Sequence, residues 1–190
     1  MKSDSDPRAP AGLARRDFLK VGFGFTLAAS VGTALVGCGD APKAPASGLQ
    51  FLLDGDVALF SALAPAVVTE LGAFDAAKRK TLIDAVVRNV DGTCAALGQG
   101  SRKELRKLLD LLAIAPLRYA LTGVGAWNEA GVDKMQAFLE RWRGSGFATL
   151  NAGSNVLVKL TASSFFVLPE SWPVSGYPGP LARMFNAIQP

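Results

Sequence analysis

From Asp54 onward the large apolar residues recur at three- and four-residue intervals and almost never alternate with polar ones. That pattern commits the segment to helices packed through single apolar faces and leaves little room for half-buried strands. Leu59, Phe60, Leu63 and Val67 form the first stripe within residues 57–71, where Asp56 can cap the start and Pro65 predicts a kink or a break into two short helices. Asp75 caps a second helix running to about Leu97, with Leu82, Val86, Val90 and Cys94 or Leu97 on its inner face, and Gly98 and Gly100 end it. Ser101-Arg102-Lys103-Glu104 has the form of a capping box, so a third helix is expected to start there and run to about Ala115, with Pro116 stopping or bending it. Asn128 or Gly131 opens another, with Val132, Met135, Phe138 or Leu139, and Trp142 on one face and Gly144-Ser145-Gly146 at its end. A last long helix over 147–167 is lined by Leu150, Ser154, Leu157, Thr161 and Phe165. The expectation is an all-α fold, a single bundle of five or six helices over residues 54–190.

The pattern changes at about residue 168. Residues 168–180 hold four prolines and two glycines, so a continuous helix is impossible and an extended segment is expected, with Trp172 and Tyr177 as anchors. Trp and Tyr on a stiff segment combine large contact area with a small ordering cost, the composition of a partner interface or of a clasp over the chain's own bundle.

The N-terminus carries an address rather than a fold. Arg15 and Arg16, followed by Phe18, Leu19 and Lys20, match the twin-arginine export consensus and precede an apolar run over residues 21–37 diluted by four glycines. A seventeen-residue run is about 25 Å long as a helix, short for a hydrocarbon core of roughly 30 Å and suited to a cleavable signal. Leu35-Val36-Gly37-Cys38 resembles a lipobox, which makes Cys38 the lipidated first residue of the mature chain. Cleavage after Ala44-Pro45-Ala46 would instead release a soluble periplasmic protein. The expected location is the periplasmic side of a bacterial membrane, reached through the twin-arginine translocase and held by a lipid anchor. Residues 39–53 have the Pro, Ala and Gly content of a linker between anchor and domain.

Absences narrow the chemistry. The 190 residues include no histidine, which removes the usual general base and the commonest metal and haem ligand. With Cys38 lipidated, Cys94 is a lone thiol on an apolar helix face and reads as a small buried hydrophobe. Residues 38–190 keep 15 Lys and Arg against 13 Asp and Glu, a net +2 that gives no footprint for nucleic acid. Gly123-Val124-Gly125 lacks a preceding strand and a third glycine and reads as a loop. Acidic residues are spread singly along helices, so a carboxylate pair such as Asp84 with Asp110 would need the fold to assemble it. Arg102, Lys103, Arg106 and Lys107 sit on the first turns of their helix against the dipole preference, which calls for a compensating partner. No catalytic, cofactor or metal site is expected in this chain.

Trp172, Gly176, Tyr177, Pro178, Gly179 and Pro180, placed after a twin-arginine signal and a small helical domain, resemble the gluconate 2-dehydrogenase subunit 3 family. The likeness covers most of the chain in layout and its two ends in motif. It implies a non-catalytic accessory subunit assisting folding, export or membrane docking of a large FAD-dependent GMC-type dehydrogenase, with FAD in the partner and a separate cytochrome subunit taking the electrons. It also implies that Trp172 and residues 176–180 contribute to the partner interface. The alternative is a free-standing envelope lipoprotein acting as a binding or scaffold module.

Overall fold

The computed structural model describes residues 44–179. The export residues Arg15, Arg16, Phe18, Leu19 and Lys20, the lipidation residue Cys38, and Pro180 lie outside the described residues. Within them the fold is all-α: α1 (Asp54–Val67), α2 (Ala76–Ala96), α3 (Gln99–Ala113), α4 (Ala115–Thr122), α5 (Val132–Arg143), α6 (Ala148–Phe166) and α7 (Ser171–Ser175), with single 3-10 turns at Thr69–Ala73 and Trp127–Glu129. The five long helices are those the periodicity marks, and α4 and α7 are short additions.

Helices α1, α2, α5 and α6 form the bundle, α1 touching the other three, while α3 and α4 make a hairpin along its side. The interior is the expected set of stripes: Leu59, Phe60 and Leu63 from α1, Leu82, Val86, Val90 and Cys94 from α2, Met135, Phe138 and Trp142 from α5, and Leu157 and Phe165 from α6 are all buried. Trp142 is the largest side chain in that interior. Its ring stands edge-on to Phe138 with centroids 4.9 Å apart, and its Nε1–H donates to the Leu121 carbonyl at 2.9 Å, which fastens α4 to α5. Gly153 lets α6 lie against that ring, because a Cβ there would fall 2.8 Å from Trp142 Cζ3.

Several helix boundaries differ from expectation for local reasons. Asp56 is not the first cap of α1; it lies in the first turn and its Oδ2 accepts the Leu53 N–H at 2.9 Å. Pro65 falls in the last turn of α1, which stops at Val67 and continues only as the Thr69–Ala73 turn, the break its missing N–H favours. Asp75 caps α2 as expected, its Oδ1 accepting from the Lys78 N–H at 2.9 Å. The Ser101–Glu104 capping box does not form. α3 starts at Gln99, so Ser101 is already inside it, and Glu104 pairs with Lys107 at 2.8 Å instead. Pro116 starts α4 rather than stopping α3: in the first turn of a helix its missing N–H costs nothing, because those amides have no intrahelical acceptor.

Residues 46–53, expected to be linker, are packed into the domain. The Ala46 N–H donates to the Leu52 carbonyl at 2.8 Å, closing a loop, and Leu52 is fully buried. Two buried carboxylates hold this strap. Asp91 of α2 accepts from the Gln50, Phe51 and Leu52 amides, each at 2.9 Å, and Asp56 takes the next amide, Leu53. Four successive N–H groups thereby find charged acceptors, the Leu52 amide in the buried interior.

Candidate functional site

The terminal segment was expected to lie extended and instead folds into a compact turn. Leu168 N–H donates to the Phe165 carbonyl and Ser171 N–H to the Leu168 carbonyl, both at 2.9 Å, so the chain reverses directly off the end of α6. The buried Ser171 hydroxyl donates to the carbonyls of Leu168 at 2.7 Å and Phe166 at 3.2 Å, and the five-residue α7 begins there.

α7 ends in a Schellman motif whose sequence signature is the aromatic stretch itself. Gly176 has φ +73°, the left-handed conformation that a residue with a Cβ adopts only under strain. Gly176 N–H donates to the Pro173 carbonyl at 3.3 Å, and Tyr177 N–H donates to the Trp172 carbonyl at 2.9 Å. That bond pattern brings the residue after the glycine over the residue four before it. Tyr177 accordingly stands edge-on to Trp172, ring centroids 5.8 Å apart and planes at 86°. Pro178 follows, as commonly occurs just past such a stop. The chain then reaches Gly179, φ +88°, where a Cβ would lie 3.0 Å from Cε3 and Cζ3 of the Trp172 ring. The structure thus brings Trp172, Gly176, Tyr177 and Gly179 into one knot, with Pro178 exposed between them.

The two aromatic anchors have different surroundings. Trp172 is half-buried at the centre of the knot, whereas Tyr177 is 50% exposed. Val174 on α7, and Phe166 and Val167 at the end of α6, are exposed as well. Sequence reasoning missed these three. Their signal was available: Phe166 and Val167 are apolar residues that fall outside the α6 stripe. The knot is moored to the bundle by α7 resting against the Thr69–Ala73 turn and by an ion pair from α2, Lys78 Nζ to Glu170 Oε1 at 2.9 Å. The hydrogen bond from Lys78, together with one from the Glu170 backbone, holds the Glu170 carboxyl below its ordinary range.

The other sequence candidates are accounted for by structural contacts. Arg102 reaches back to the carbonyls of Ala95 at 2.7 Å and Leu97 at 3.1 Å, so the basic start of α3 serves the C-terminal end of α2, where positive charge is favourable. Arg106 makes a forked pair with Asp56, at 2.7 and 3.1 Å, and also holds Asp110. Burial pulls the Arg106 pKa down, but the two carboxylates outweigh it and the pKa goes up. Asp84 pairs with Lys80 at 2.8 Å, so Asp84 and Asp110 each answer a base on their own helix. Gly123, φ +74°, ends α4, and Gly125 offers its carbonyl to Arg118, so that glycine pair is a turn. Cys94 is buried, and desolvation, reinforced by Asp91 and Asp56, pushes its thiol up to about 12.

Among the described residues no group of three His, Cys, Asp or Glu side chains is placed to hold a metal ion, and no helix is long and apolar enough to cross a membrane. Comparison with family models, with curated proteins and with solved structures gave no match.

Proposed function

We propose that this chain is a non-catalytic accessory subunit of an exported FAD-dependent GMC-type dehydrogenase, assisting its folding, export or membrane docking, and that the terminal knot is part of the contact. The observation that carries the reading is the knot itself: a short, internally braced turn that presents Tyr177 and Val174 beside Phe166 and Val167. A surface of rigid aromatic and aliphatic side chains gives up little entropy on binding and is the usual make-up of an interface core. The paired arginines at 15 and 16 support the export half of the reading, since that route carries folded proteins and suits a flavoprotein loaded with FAD before it crosses. FAD belongs to the partner, and electrons leave through a separate cytochrome subunit. Cys38 supplies the lipid anchor on the periplasmic side.

The test is co-purification of a GMC-type flavoprotein with this chain from native membranes. Tyr177→Ala and Val174→Asp are expected to weaken the complex by about 2 kcal/mol or more each if they are hot spots, with the melting temperature of the isolated domain unchanged. Undiminished binding by both variants would remove the knot from the interface, and recovery of no flavoprotein from native membranes would remove the accessory role.

A second reading, a free-standing envelope lipoprotein that binds a ligand, draws on a different feature. A groove of about 440 Å³ lies between the strap and helices α1 and α2, with Leu49, Val57 and Val87 along it and Asp54, Asp84 and Arg88 at its rim. Recovery of no flavoprotein from native membranes, together with loss of ligand binding in a Val57→Trp variant, would favour this reading.

A further inference from the structure

The outward side of α6 carries almost no charge. Its 19 residues include one charged side chain, Lys159, against five of 12 in α5 and six of 15 in α3. A surface helix ordinarily turns a charged face to water, and one that stays apolar or small all round is normally covered. Ala152, Val156, Lys159, Ser163 and Phe166 are exposed and recur at four- and three-residue steps, so they form one ridge about 21 Å long. Leu157, Thr161 and Phe165 of the same helix are buried in the bundle, which leaves the ridge on the far side. It ends at Phe166 and Val167, both exposed, where the chain enters the knot.

The ridge suits another helix. Ala152 and Ser163 project little, so a second helix axis can approach to about 8–10 Å along it, and scarcity of charge is the mark of an interface core. A lipid surface is a poorer match. A helix lying among headgroups offers several large apolar side chains and several bases, whereas the ridge has one aromatic ring and one lysine. Lys159 selects among protein occupants. It stands midway between Ala152 and Phe166, is exposed, and has no carboxylate within salt-bridge distance among the described residues. Two copies packed antiparallel about that midpoint would set Lys159 against Lys159, a like-charge contact that opposes binding. A carboxylate on a different chain answers the same lysine.

We propose that the outward ridge of α6 is a docking face for a helix of a partner protein, one that carries a small or apolar stripe with an aspartate or glutamate set against Lys159. The identity of the partner rests on the accessory-subunit reading above; the mode of docking does not. Phe166 and Val167 join the ridge to the knot, and the ion pair at Lys159 fixes the register of the partner helix.

The experiment places the photo-reactive residue benzoylphenylalanine at position 156 of the full chain in its native cells, with the same residue at position 80, exposed on α2, as background. Position 156 is expected to give an adduct to another protein, on a peptide that contains an aspartate or glutamate. Lys159→Glu should lower the yield about tenfold or more and Lys159→Arg should keep it within about twofold. The melting temperature of the purified chain should not change, because the side chain is exposed. A Lys159-dependent adduct to a flavoprotein supports the docking face and the accessory role together; one to a different protein supports the docking face and removes the flavoprotein. A flavoprotein that co-purifies yet gives no adduct from position 156 overturns the docking face and leaves the accessory role standing. A yield that Lys159→Glu leaves unchanged or raises overturns the docking face. So does an adduct to lipid, to a second copy or within the same chain, and so does no adduct above background.

Discussion

Asp91 is 4% exposed and has no cationic partner within salt-bridge distance among the described residues; what stabilises it is three backbone amides of the strap. Asparagine has nearly its shape but would turn an N–H toward one of those amides, leaving a donor facing a donor. Asp91→Asn is therefore expected to cost about 1–3 kcal/mol in a denaturation curve and to speed amide exchange at residues 50–52 first. Asp56 poses the opposite case, because its charge is answered by Arg106. Arg106→Met leaves that carboxylate buried and unanswered and should cost about 3–5 kcal/mol, with Asp56→Asn in the same chain recovering part of the loss. Cys94 gives a pH signature. Its folded pKa, about 12, lies above the ordinary 9.0, so its contribution is complete below pH 9 and is lost as pH rises toward 12 while the unfolded chain ionises first. Native protein at pH 8 should resist iodoacetamide and react only as it unfolds. A Cys94→Ala variant should lose less stability between pH 9 and 11 than the parent.

At the scale of the element, the terminal knot is decided by two glycines that do different work. A Cβ at Gly176 meets nothing within 4 Å, so Gly176→Ala pays only for the left-handed backbone, about 1 kcal/mol, and Gly176→Asn less. Gly179→Ala pays the same conformational cost and also drives a methyl group into the Trp172 ring, so it should be the more damaging of the two. Measuring α7 amide exchange and Trp172 fluorescence on both variants checks the order, and equal effects would count against the steric account. The Lys78–Glu170 pair adds a pH-dependent mooring. The Glu170 pKa is lowered in the fold, so its contribution is present above the ordinary value near 4.5 and is lost as pH falls through the folded value. The pair is 40% exposed on each side, so the effect is small and should show as loosening of α7 below pH 4.5 rather than as global unfolding. Lys78→Ala should abolish that pH dependence.

At the scale of the whole molecule, the described residues carry a strap at their N-terminal side and an aromatic knot at their C-terminal side, and both are tied to the bundle by contacts distant in sequence. The strap joins residues 50–52 to Asp91, about 40 residues away on α2. The proposed accessory role predicts that Arg15→Lys with Arg16→Lys keeps both this chain and the proposed flavoprotein partner in the cytoplasm, read by fractionation; a partner that still reached the periplasm would separate complex formation from shared export. Cys38→Ser should abolish fatty-acid labelling, and Cys94→Ser should leave it intact.

The sequence by itself determined the helices and their inward faces, because a 3.6-residue apolar period has one physical reading and Asp75, Pro65 and Gly144 punctuate it locally. It also contained the knot in readable form, since Trp172, Gly176, Tyr177 and Pro178 have the spacing of a Schellman stop, although proline content alone suggested an extended segment. The tertiary structure alone decided what the charges do. Asp91 and the amides of residues 50–52, Asp56 and Arg106, and Lys78 and Glu170 meet across about 40, 50 and 92 positions. No local propensity encodes such pairings; they follow from which helix faces pack together. Packing likewise separated Trp172, held inside the knot, from Tyr177, left facing out: both rings are amphipathic and equally at home at an interface, and only the path of the backbone around Gly176 and Gly179 chooses between them.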